Sequence, residues 1–148
     1  MKVKDVMTVN PICCKPETSL IEAAQLMVKY DCGEVPVIKN TEKNNLIGVI
    51  TDRDIVCRTL GKGLDPTAMI VQECMSDPVV SISENADLEE CLKLMEEKLT
   101  RRIPVVNKEH TVCGIVSLAD ISKYSSEQNS GEVLREISAD IGASSNVN

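Results

Sequence analysis

The sequence predicts a mixed α/β fold, of the α+β kind, in which two copies of one small unit follow each other along the chain. Two observations support this prediction. A series of short motifs returns in the same order in the second half, and within each copy the hydrophobic pattern alternates between helical and strand-like periods. A chain of 148 residues, with 43% hydrophobic and 26% charged residues, is long enough for two such units.

The repeat can be followed segment by segment. Residues 3–8 (VKDVMT) return as residues 71–76 (VQECMS). The other matched pairs are 10–12 with 77–79, 19–27 with 87–95, 35–38 with 103–106 and 48–55 with 114–121. We therefore predict three regions. They are a first repeat over 1–63, a second repeat over 64–124, and a polar tail over 125–148 in which 131–141 have the pattern of a short helix.

The first helix of each copy is predicted from its start and from its apolar stripe. Ser19 with Glu22, and Asp87 with Glu90, have the spacing of capping boxes. Apolar residues then recur at helical spacing and predict one buried face on each helix. They are Leu20, Ala23, Ala24 and Met27 in the first copy, and Leu88, Cys91, Leu92, Met95 and Leu99 in the second.

Two strands and a second helix complete each copy. A short β-branched run surrounds Pro36 or Pro104, and a proline is typical of an edge strand or of a strand start because it cannot donate to the ladder. A polar turn then leads into a second apolar run, and a final helix begins at Thr51 or Ser117. The first of these final helices is predicted to end near Gly61.

Composition and charge disfavour several classes of function. The chain contains two Tyr, no Phe and no Trp, and its net charge is -7. Base stacking and phosphate attraction are therefore poorly supported, so we expect no nucleic-acid partner. No apolar stretch is long enough to span a bilayer and the charged N-terminus does not resemble a signal peptide. We therefore expect a cytoplasmic protein without a membrane partner.

The cysteines and the single histidine do not form a recognisable catalytic or metal motif. The seven cysteines include no C-x-x-C pair, and their positions in apolar segments are typical of buried thiols. Neither a G-x-S-x-G motif nor a P-loop is present. We expect no bound metal and no enzymatic activity.

Together, the repeated motifs resemble the CBS domain family, and their pairing resembles a Bateman module. The resemblance covers roughly Val3 to Lys123 and is strongest to stand-alone two-CBS proteins, which carry Thr51-Asp52-Arg53-Asp54 and the run from Arg101 to Val106. It implies two β-α-β-β-α units related by a pseudo-twofold axis. It also implies an adenosine-type ligand (AMP, ADP, ATP, NAD or S-adenosylmethionine) in the clefts, and a homodimer.

Thr51 and Asp54 are the first candidate ligand residues, and Ser117 and Asp120 repeat them. A hydroxyl at a helix start is suited to a phosphate, and the carboxylate three residues later can accept hydrogen bonds from both ribose hydroxyls. The same spacing also fits a capping box with Asp in place of Glu. The sequence leaves both roles open, and they are compatible. Gly48, inside its strand, permits close approach of a ligand or of another backbone segment.

Three arginines are candidates for phosphate binding, because the guanidinium matches phosphate oxygens. Arg101 and Arg102 precede the strand of the second copy, and Arg53 lies in the first copy. The alternative for the adjacent pair is a solvated helix end. The matching segment of the first copy, around Gly33, carries no cation, so we expect two chemically unequal clefts and one high-affinity site.

The resemblance also groups the remaining candidates. It places Ser117 and Asp120 against the opening and pre-proline segments of the first copy, with Arg101 or Arg102 at the phosphates. It places Thr51 and Asp54 near the opening of the second copy. The lining residues implied are Ile12, Cys13, Gly33 and Val35 for the former cleft, Val79 and Val80 for the latter, and the pre-proline Ile103. Leu118 and Ala119 depart from the pattern of the first copy.

These observations predict a non-catalytic regulatory module that binds an adenine nucleotide and signals to a separate effector protein. The alternative is a structural dimerisation module with no physiological ligand. Titration with AMP, ATP and NAD distinguishes the two.

Overall fold

The computed structural model describes residues 1–39, 42–77 and 79–124. The elements of the first repeat are β1 (Thr8–Val9), α1 (Leu20–Tyr30), β2 (Glu34–Ile38), β3 (Leu46–Thr51) and α2 (Asp52–Arg58). Those of the second are β4 (Ile82–Ser83), α3 (Leu88–Lys98), β5 (Arg102–Val106), β6 (Val112–Ser117) and α4 (Leu118–Tyr124). The β-α-β-β-α order occurs twice, which confirms the predicted fold class. The helix predicted in the tail lies outside the described residues.

The chain packs into two compact units, and neither is continuous in sequence. The Ser117 unit contains Met1–Val9, Val80–Lys108 and the described chain from Cys113. The Thr51 unit contains Asn10–Val79 and Glu109–Val112. Each repeat therefore contributes its opening segment to the unit that holds the helices of the other repeat. The opening segment is residues 1–9 in the first repeat and residues 64–79 in the second. The repeat boundaries at 63 and 124 stay a prediction, and these units describe the packing.

The Ser117 unit has a four-stranded sheet in the order β1-β6-β5-β4. β1 is antiparallel to β6, with Thr8 opposite Ile115, and β4 is parallel to β5, with Ile82 opposite Val105. Helices α3 and α4 contribute buried side chains to its core. The core consists of Val3, Val6, Ile82, Cys91, Met95, Ile103, Val105, Val116, Leu118 and Ile121.

The Thr51 unit repeats this topology with shorter edges. β2 and β3 form an antiparallel pair, while single bridges replace the outer strands. Cys14 bridges Val37 in parallel, and Ser76 bridges Val49 antiparallel. The core consists of Cys14, Leu20, Ala23, Met27, Val35, Val37, Ile50, Val71 and Cys74.

A glycine in each unit allows the opening segment to lie close against the neighbouring strand. A Cβ at Gly48 would lie 2.9 Å from the Ser76 carbonyl oxygen. A Cβ at Gly114 would lie 2.9 Å from the Thr8 carbonyl oxygen and 2.5 Å from the Met7 sulfur. Of the two uses of the glycine left open by the sequence, the structure shows close approach of another backbone segment.

Two predictions about the long helices are corrected at their ends. Ser19 caps α1 by accepting a hydrogen bond from the Glu22 N–H at 3.1 Å, but Asp87 makes no side-chain cap on α3. Its carboxylate instead accepts a hydrogen bond from Lys2 Nζ at 2.8 Å. Leu99 is not part of the buried stripe, because α3 ends before it and its left-handed backbone turns the side chain outward, where it is 45% exposed.

Helix α2 is shorter than predicted. It ends at Arg58 rather than near Gly61, and a 3-10 turn over Leu60–Lys62 follows, closed by Gly63 in the left-handed region. The side chain of Thr59, buried at this point, donates to the Ile55 carbonyl oxygen.

Pro36 lies in the middle of β2 rather than at its start, and β2 is an outer strand of the two-stranded sheet β2-β3, with only the isolated Cys14–Val37 bridge on its other side. The Cys14 N–H donates to the Pro36 carbonyl at 3.0 Å, and the Ile38 N–H donates to the Cys14 carbonyl at 2.9 Å. The proline nitrogen therefore faces the Cys14 segment just where pairing begins, and the missing donor leaves no gap in the ladder.

Candidate functional site: two hydroxyl–carboxylate pairs

Thr51 and Asp54 form a reciprocal hydrogen-bonded pair where β3 passes into α2. The Asp54 N–H donates to Thr51 Oγ1 at 3.0 Å, and the Thr51 N–H donates to Asp54 Oδ2 at 3.1 Å. Capping is therefore confirmed as one role of this pair. A carboxylate has about four acceptor positions, so this role leaves acceptor capacity for a ligand. Both side chains are partly exposed.

Ser117 and Asp120 have the same geometry in the other unit. The Asp120 N–H donates to Ser117 Oγ and the Ser117 N–H donates to Asp120 Oδ2, both at 3.0 Å. The duplicated sequence motif is thus a duplicated local structure. Ligand contact by either pair stays a prediction.

The surroundings of Asp54 include two residues that the sequence analysis missed. Ser76 Oγ lies 3.5 and 3.4 Å from the two Asp54 carboxylate oxygens, and Arg58 Nε lies 3.8 Å from Asp54 Oδ1. A helical i,i+4 spacing links Asp54 to Arg58, and Ser76 ends the repeated opening motif. The spacing was therefore a usable signal for Arg58, whereas the contact with Ser76 depends on the exchange of opening segments.

The surroundings of Asp120 differ. The positions that match Arg58 and Ser76 in the repeat are Tyr124 and Thr8. Tyr124 is 55% exposed, and Thr8 is exposed on β1. Within the described residues, no arginine pairs with Asp120. The two pairs thus share their backbone geometry and differ in what lies beside the carboxylate.

The adjacent arginines Arg101 and Arg102, predicted to bind phosphate, lie beside the Ser117 pair and not beside the Thr51 pair. The Arg101 carbonyl accepts a hydrogen bond from the Leu118 N–H at 2.8 Å, which places the arginine pair beside the start of α4. The equivalent bond in the Thr51 unit joins the Asp52 N–H to the Gly33 carbonyl at 3.0 Å. Arg101 and Arg102 are exposed and accessible to an anion. The Ser117 pair therefore has arginines near its helix start, where the Thr51 pair has Gly33.

Arg53 lies in the first turn of α2. Its side chain is exposed, and its N–H donates to Asp52 Oδ1 at 2.8 Å. This position leaves the guanidinium accessible to an anion, and its predicted phosphate contact stays a prediction.

The predicted lining residues are distributed over both units. Ile12, Cys13, Gly33, Val35 and Val79 belong to the Thr51 unit, and Val80 and Ile103 to the Ser117 unit. Val35 and Ile103 are completely buried in their cores, so neither residue presents accessible surface to a ligand. The others are partly exposed, and their predicted grouping around an adenine stays a prediction.

Burial raises the pKa of three thiols well above the ordinary cysteine value. Burial raises the pKa of Cys13 to about 11 and that of Cys91 to about 11. Burial, together with the neighbouring Cys13 and Glu22, raises the pKa of Cys14 to about 12. The Cys13 thiol donates to the Pro11 carbonyl at 3.4 Å. Within the described residues, no three His, Cys, Asp or Glu side chains are grouped as metal ligands.

No helix among residues 1–39, 42–77 and 79–124 has the length and apolar character required to cross a bilayer.

The fold and the two junctions define a tandem-repeat α+β protein. The sequence profile of the CBS domain matches residues 3–59 and 71–127, and the chain therefore belongs to the CBS domain family. It is 37% identical over 121 residues to Hypoxic response protein 1 of Mycobacterium tuberculosis, covering 82% of each chain. It is 38% identical over 137 residues to the CBS domain-containing protein YhcV of Bacillus subtilis, covering 92% of this chain and 94% of the relative.

Solved structures agree with this assignment. The crystal structure of Hypoxic Response Protein I with two coordinated zinc ions matches with a TM-score of 0.77 and 34% identity, over 85% of this chain and 100% of that one. CBSX2 of Arabidopsis thaliana in complex with AMP matches with a TM-score of 0.71 and 28% identity, over 83% and 94%. The CBS domain pair of protein MJ0100, in complex with 5′-methylthioadenosine and S-adenosyl-L-methionine, matches with a TM-score of 0.73 and 27% identity, over 84% and 98%.

The similarity to enzymes is confined to a minor part of those enzymes. The chain covers 22% of the inosine-5′-monophosphate dehydrogenase of Methanocaldococcus jannaschii, but 94% of YhcV. The chain therefore resembles only the CBS-domain part of such an enzyme. This agrees with the prediction of a non-catalytic protein.

Proposed function

We propose that this protein is a regulatory module that binds an adenine nucleotide, with AMP as the first candidate and ADP, ATP and NAD as the others. The observation that carries the proposal is the duplicated hydroxyl–carboxylate pair. Each pair is partly exposed at a helix start, and each carboxylate keeps acceptor positions beyond its capping hydrogen bond. Such a junction offers acceptors to ribose hydroxyls.

The ligands of the structural relatives support the same chemistry. AMP, 5′-methylthioadenosine and S-adenosyl-L-methionine share an adenosine part but not a phosphate. The common requirement is recognition of adenine and ribose, and a carboxylate is suited to the ribose hydroxyls. The exposed Arg101 and Arg102 beside Ser117 add a partner for phosphate. This favours a phosphate-bearing adenosine at the Ser117 pair.

Regulation requires that the ligand favours one conformation over another. A ligand shifts such an equilibrium only by its differential affinity for the two states. The readout then passes to a separate effector protein. The cytoplasmic location expected from the sequence suits this role and stays a prediction.

Isothermal titration with AMP, ADP, ATP and NAD tests the proposal. Asp54→Asn and Asp120→Asn are the matched variants, because an amide oxygen still accepts the capping hydrogen bond while the charge that favours ribose hydroxyls is removed. Replacement of each pair by alanine would also remove a cap worth about 0.5–2 kcal/mol. We expect each Asn variant to weaken one binding event. Absence of heat with all four nucleotides would overturn the proposal in favour of a structural module.

Homodimerisation is the second part of the proposal and is also the basis of the structural alternative. Helix α1 exposes Ile21, Val28 and Tyr30, and Val28 is 84% exposed. A groove of about 540 Å³ is lined in part by Val28 and by Val56 of α2. An apolar face on a helix surface is typical of a protein contact.

Light scattering after size exclusion measures this association. We expect Val28→Glu to give a monomer. Glu96→Gln, at the matching position of α3, is the control that keeps the dimer. A wild-type monomer at micromolar concentration would exclude the homodimer.

A further inference from the structure

Arg58 connects α2 to the opening segment of the second repeat. One terminal nitrogen, Nη1, donates to the Cys74 and Met75 carbonyl oxygens, each at 2.9 Å, and Nη2 lies 3.4 Å from Ser76 Oγ. The planar guanidinium is suited to such a forked arrangement, which a lysine ammonium cannot reproduce. Arg58 therefore holds three consecutive residues of this segment.

The same side chain also lies beside the candidate ribose carboxylate. Arg58 Nε is 3.8 Å from Asp54 Oδ1, and Ser76 Oγ is within 3.5 Å of both carboxylate oxygens. The Asp54 side chain is only 14% exposed, so these neighbours restrict its rotation. Arg58 and Ser76 together orient the carboxylate.

The held segment continues toward predicted ligand residues. Ser76 is anchored to β3 by two hydrogen bonds with Val49, the Ser76 N–H to the Val49 carbonyl at 2.8 Å and the Val49 N–H to the Ser76 carbonyl at 3.3 Å. Val79, expected to line the adenine, follows three positions later. Movement of the Cys74–Ser76 segment would therefore affect the ribose acceptor and the adenine-lining segment together.

We propose that Arg58 is a positioning residue for nucleotide binding at the Thr51 pair, because it holds Ser76 and Asp54 in the orientation that accepts ribose hydroxyls. This inference rests on the proposed function. It also predicts an asymmetry, since Tyr124 and Thr8 replace Arg58 and Ser76 in the other unit. Ribose recognition at the Thr51 pair depends on Arg58, and ribose recognition at the Ser117 pair does not.

The test measures coupling between Arg58 and the ribose hydroxyls. AMP and 2′,3′-dideoxy-AMP are titrated into Arg58→Met, Arg58→Lys and the control Lys29→Met. All three variants also carry Asp120→Asn, which weakens nucleotide binding at the Ser117 pair. Lys29→Met removes one exposed positive charge from α1 and leaves this network intact. Circular dichroism and thermal melting verify the fold of each variant.

We expect Arg58→Met to weaken AMP binding about tenfold, which corresponds to a typical coupling between groups in contact. Its binding of dideoxy-AMP should change less than twofold, because the hydroxyls that Asp54 would accept are absent. Arg58→Lys should recover only a small part of the lost affinity. Lys29→Met should bind AMP as tightly as the Asp120→Asn protein does.

Two other outcomes count against the inference. An equal loss for AMP and dideoxy-AMP would show that Arg58 contacts another part of the ligand or supports only the fold. Unchanged AMP binding in Arg58→Met would exclude a positioning role while leaving the proposed function intact. If the protein with native Arg58 and Asp120 binds none of the four nucleotides, both proposals fall together.

Discussion

The Thr51 unit and the Ser117 unit have the same buried framework and different surfaces. Leu20, Ala23 and Met27 of α1 match Leu88, Cys91 and Met95 of α3, and all six positions are buried or packed against a core. On the exposed side, Ile21, Val28 and Tyr30 match Glu89, Glu96 and Lys98. Packing therefore constrains the shared positions, while the outer faces of the repeats have diverged.

The comparison teaches how a duplicated site becomes two different sites. The reciprocal capping bonds have nearly equal lengths in both units. The neighbours of the carboxylates differ, with Arg58 and Ser76 in one unit and Tyr124 and Thr8 in the other. The capping hydrogen bonds are therefore the same in both units. The side chains beside the two carboxylates differ because they lie outside the repeated motif.

The largest expected effect tests the equivalence of the two strand glycines. Gly48→Ala and Gly114→Ala each place a methyl group 2.9 Å from a backbone carbonyl oxygen, which forces the opening segment to move. We expect each to reduce the free energy of unfolding by about 1–3 kcal/mol, measured by urea denaturation. Tolerance at one site alone would show that the opening segments are held differently in the two units.

The dependence of stability on alkaline pH tests whether a buried thiol contributes equally to each of the two cores. The pKa values of Cys14 and Cys91 are raised from 9.0 to about 12 and about 11, so the folded state binds these protons more tightly than the unfolded chain. The resulting stabilisation is fully present below pH 9 and is lost progressively as the pH rises from 9 to the folded-state pKa values of about 11 and about 12. At pH 10 we expect a loss of about 1 kcal/mol per thiol.

Urea denaturation between pH 8 and 10.5 measures this loss. Cys14→Ala and Cys91→Ala should each flatten the decline by a similar amount. A decline that is unchanged in one variant would show that the corresponding thiol is accessible to solvent.

The starts of the two long helices should differ in sensitivity. Ser19→Ala removes a hydrogen bond to the Glu22 N–H and should destabilise by about 1 kcal/mol. Asp87→Ala should cost less, because Asp87 makes no cap and its partner Lys2 is exposed. Thermal melting compares the variants, and an equal or larger loss for Asp87→Ala would contradict this order.

The smallest effect is expected at the ends of the same helices. Asp31 and Leu99 both have left-handed backbone, with φ of 50° and 51°. Leucine is less favourable there than aspartate. Leu99→Gly should therefore raise the free energy of unfolding by about 0.5 kcal/mol, and Asp31→Gly should gain less. The reverse order in urea denaturation would indicate that the half-exposed Leu99 side chain contributes packing.

Much of the fold was predictable because its signals are local. The order of elements, the helix starts at Ser19 and Thr51, and the buried stripe of α1 follow from spacing and capping chemistry. The predictions that were wrong concern residues whose hydrogen bonds are made with a segment distant in the sequence. Asp87 binds Lys2 in place of its own helix N–H, and Pro36 occupies the middle of a strand because the Cys14 segment requires only its carbonyl.

The candidate site divides in the same way. Thr51 with Asp54, and Ser117 with Asp120, are local pairs three residues apart, and the sequence found both. Ser76 was not found, because its contact with Asp54 spans 22 residues. No periodicity or motif reports such a contact before the packing of the segment is known.

The amino-acid order by itself determined that two β-α-β-β-α repeats form, and where each hydroxyl and carboxylate meet, because hydrogen bonds between near neighbours depend on spacing alone. Only the tertiary structure decided that each opening segment packs with the other repeat, across Gly48 or Gly114, and that Arg58 and Ser76 adjoin Asp54. The reason is physical. Burial and close backbone approach select among distant segments by shape, and shape exists only after the chain has folded.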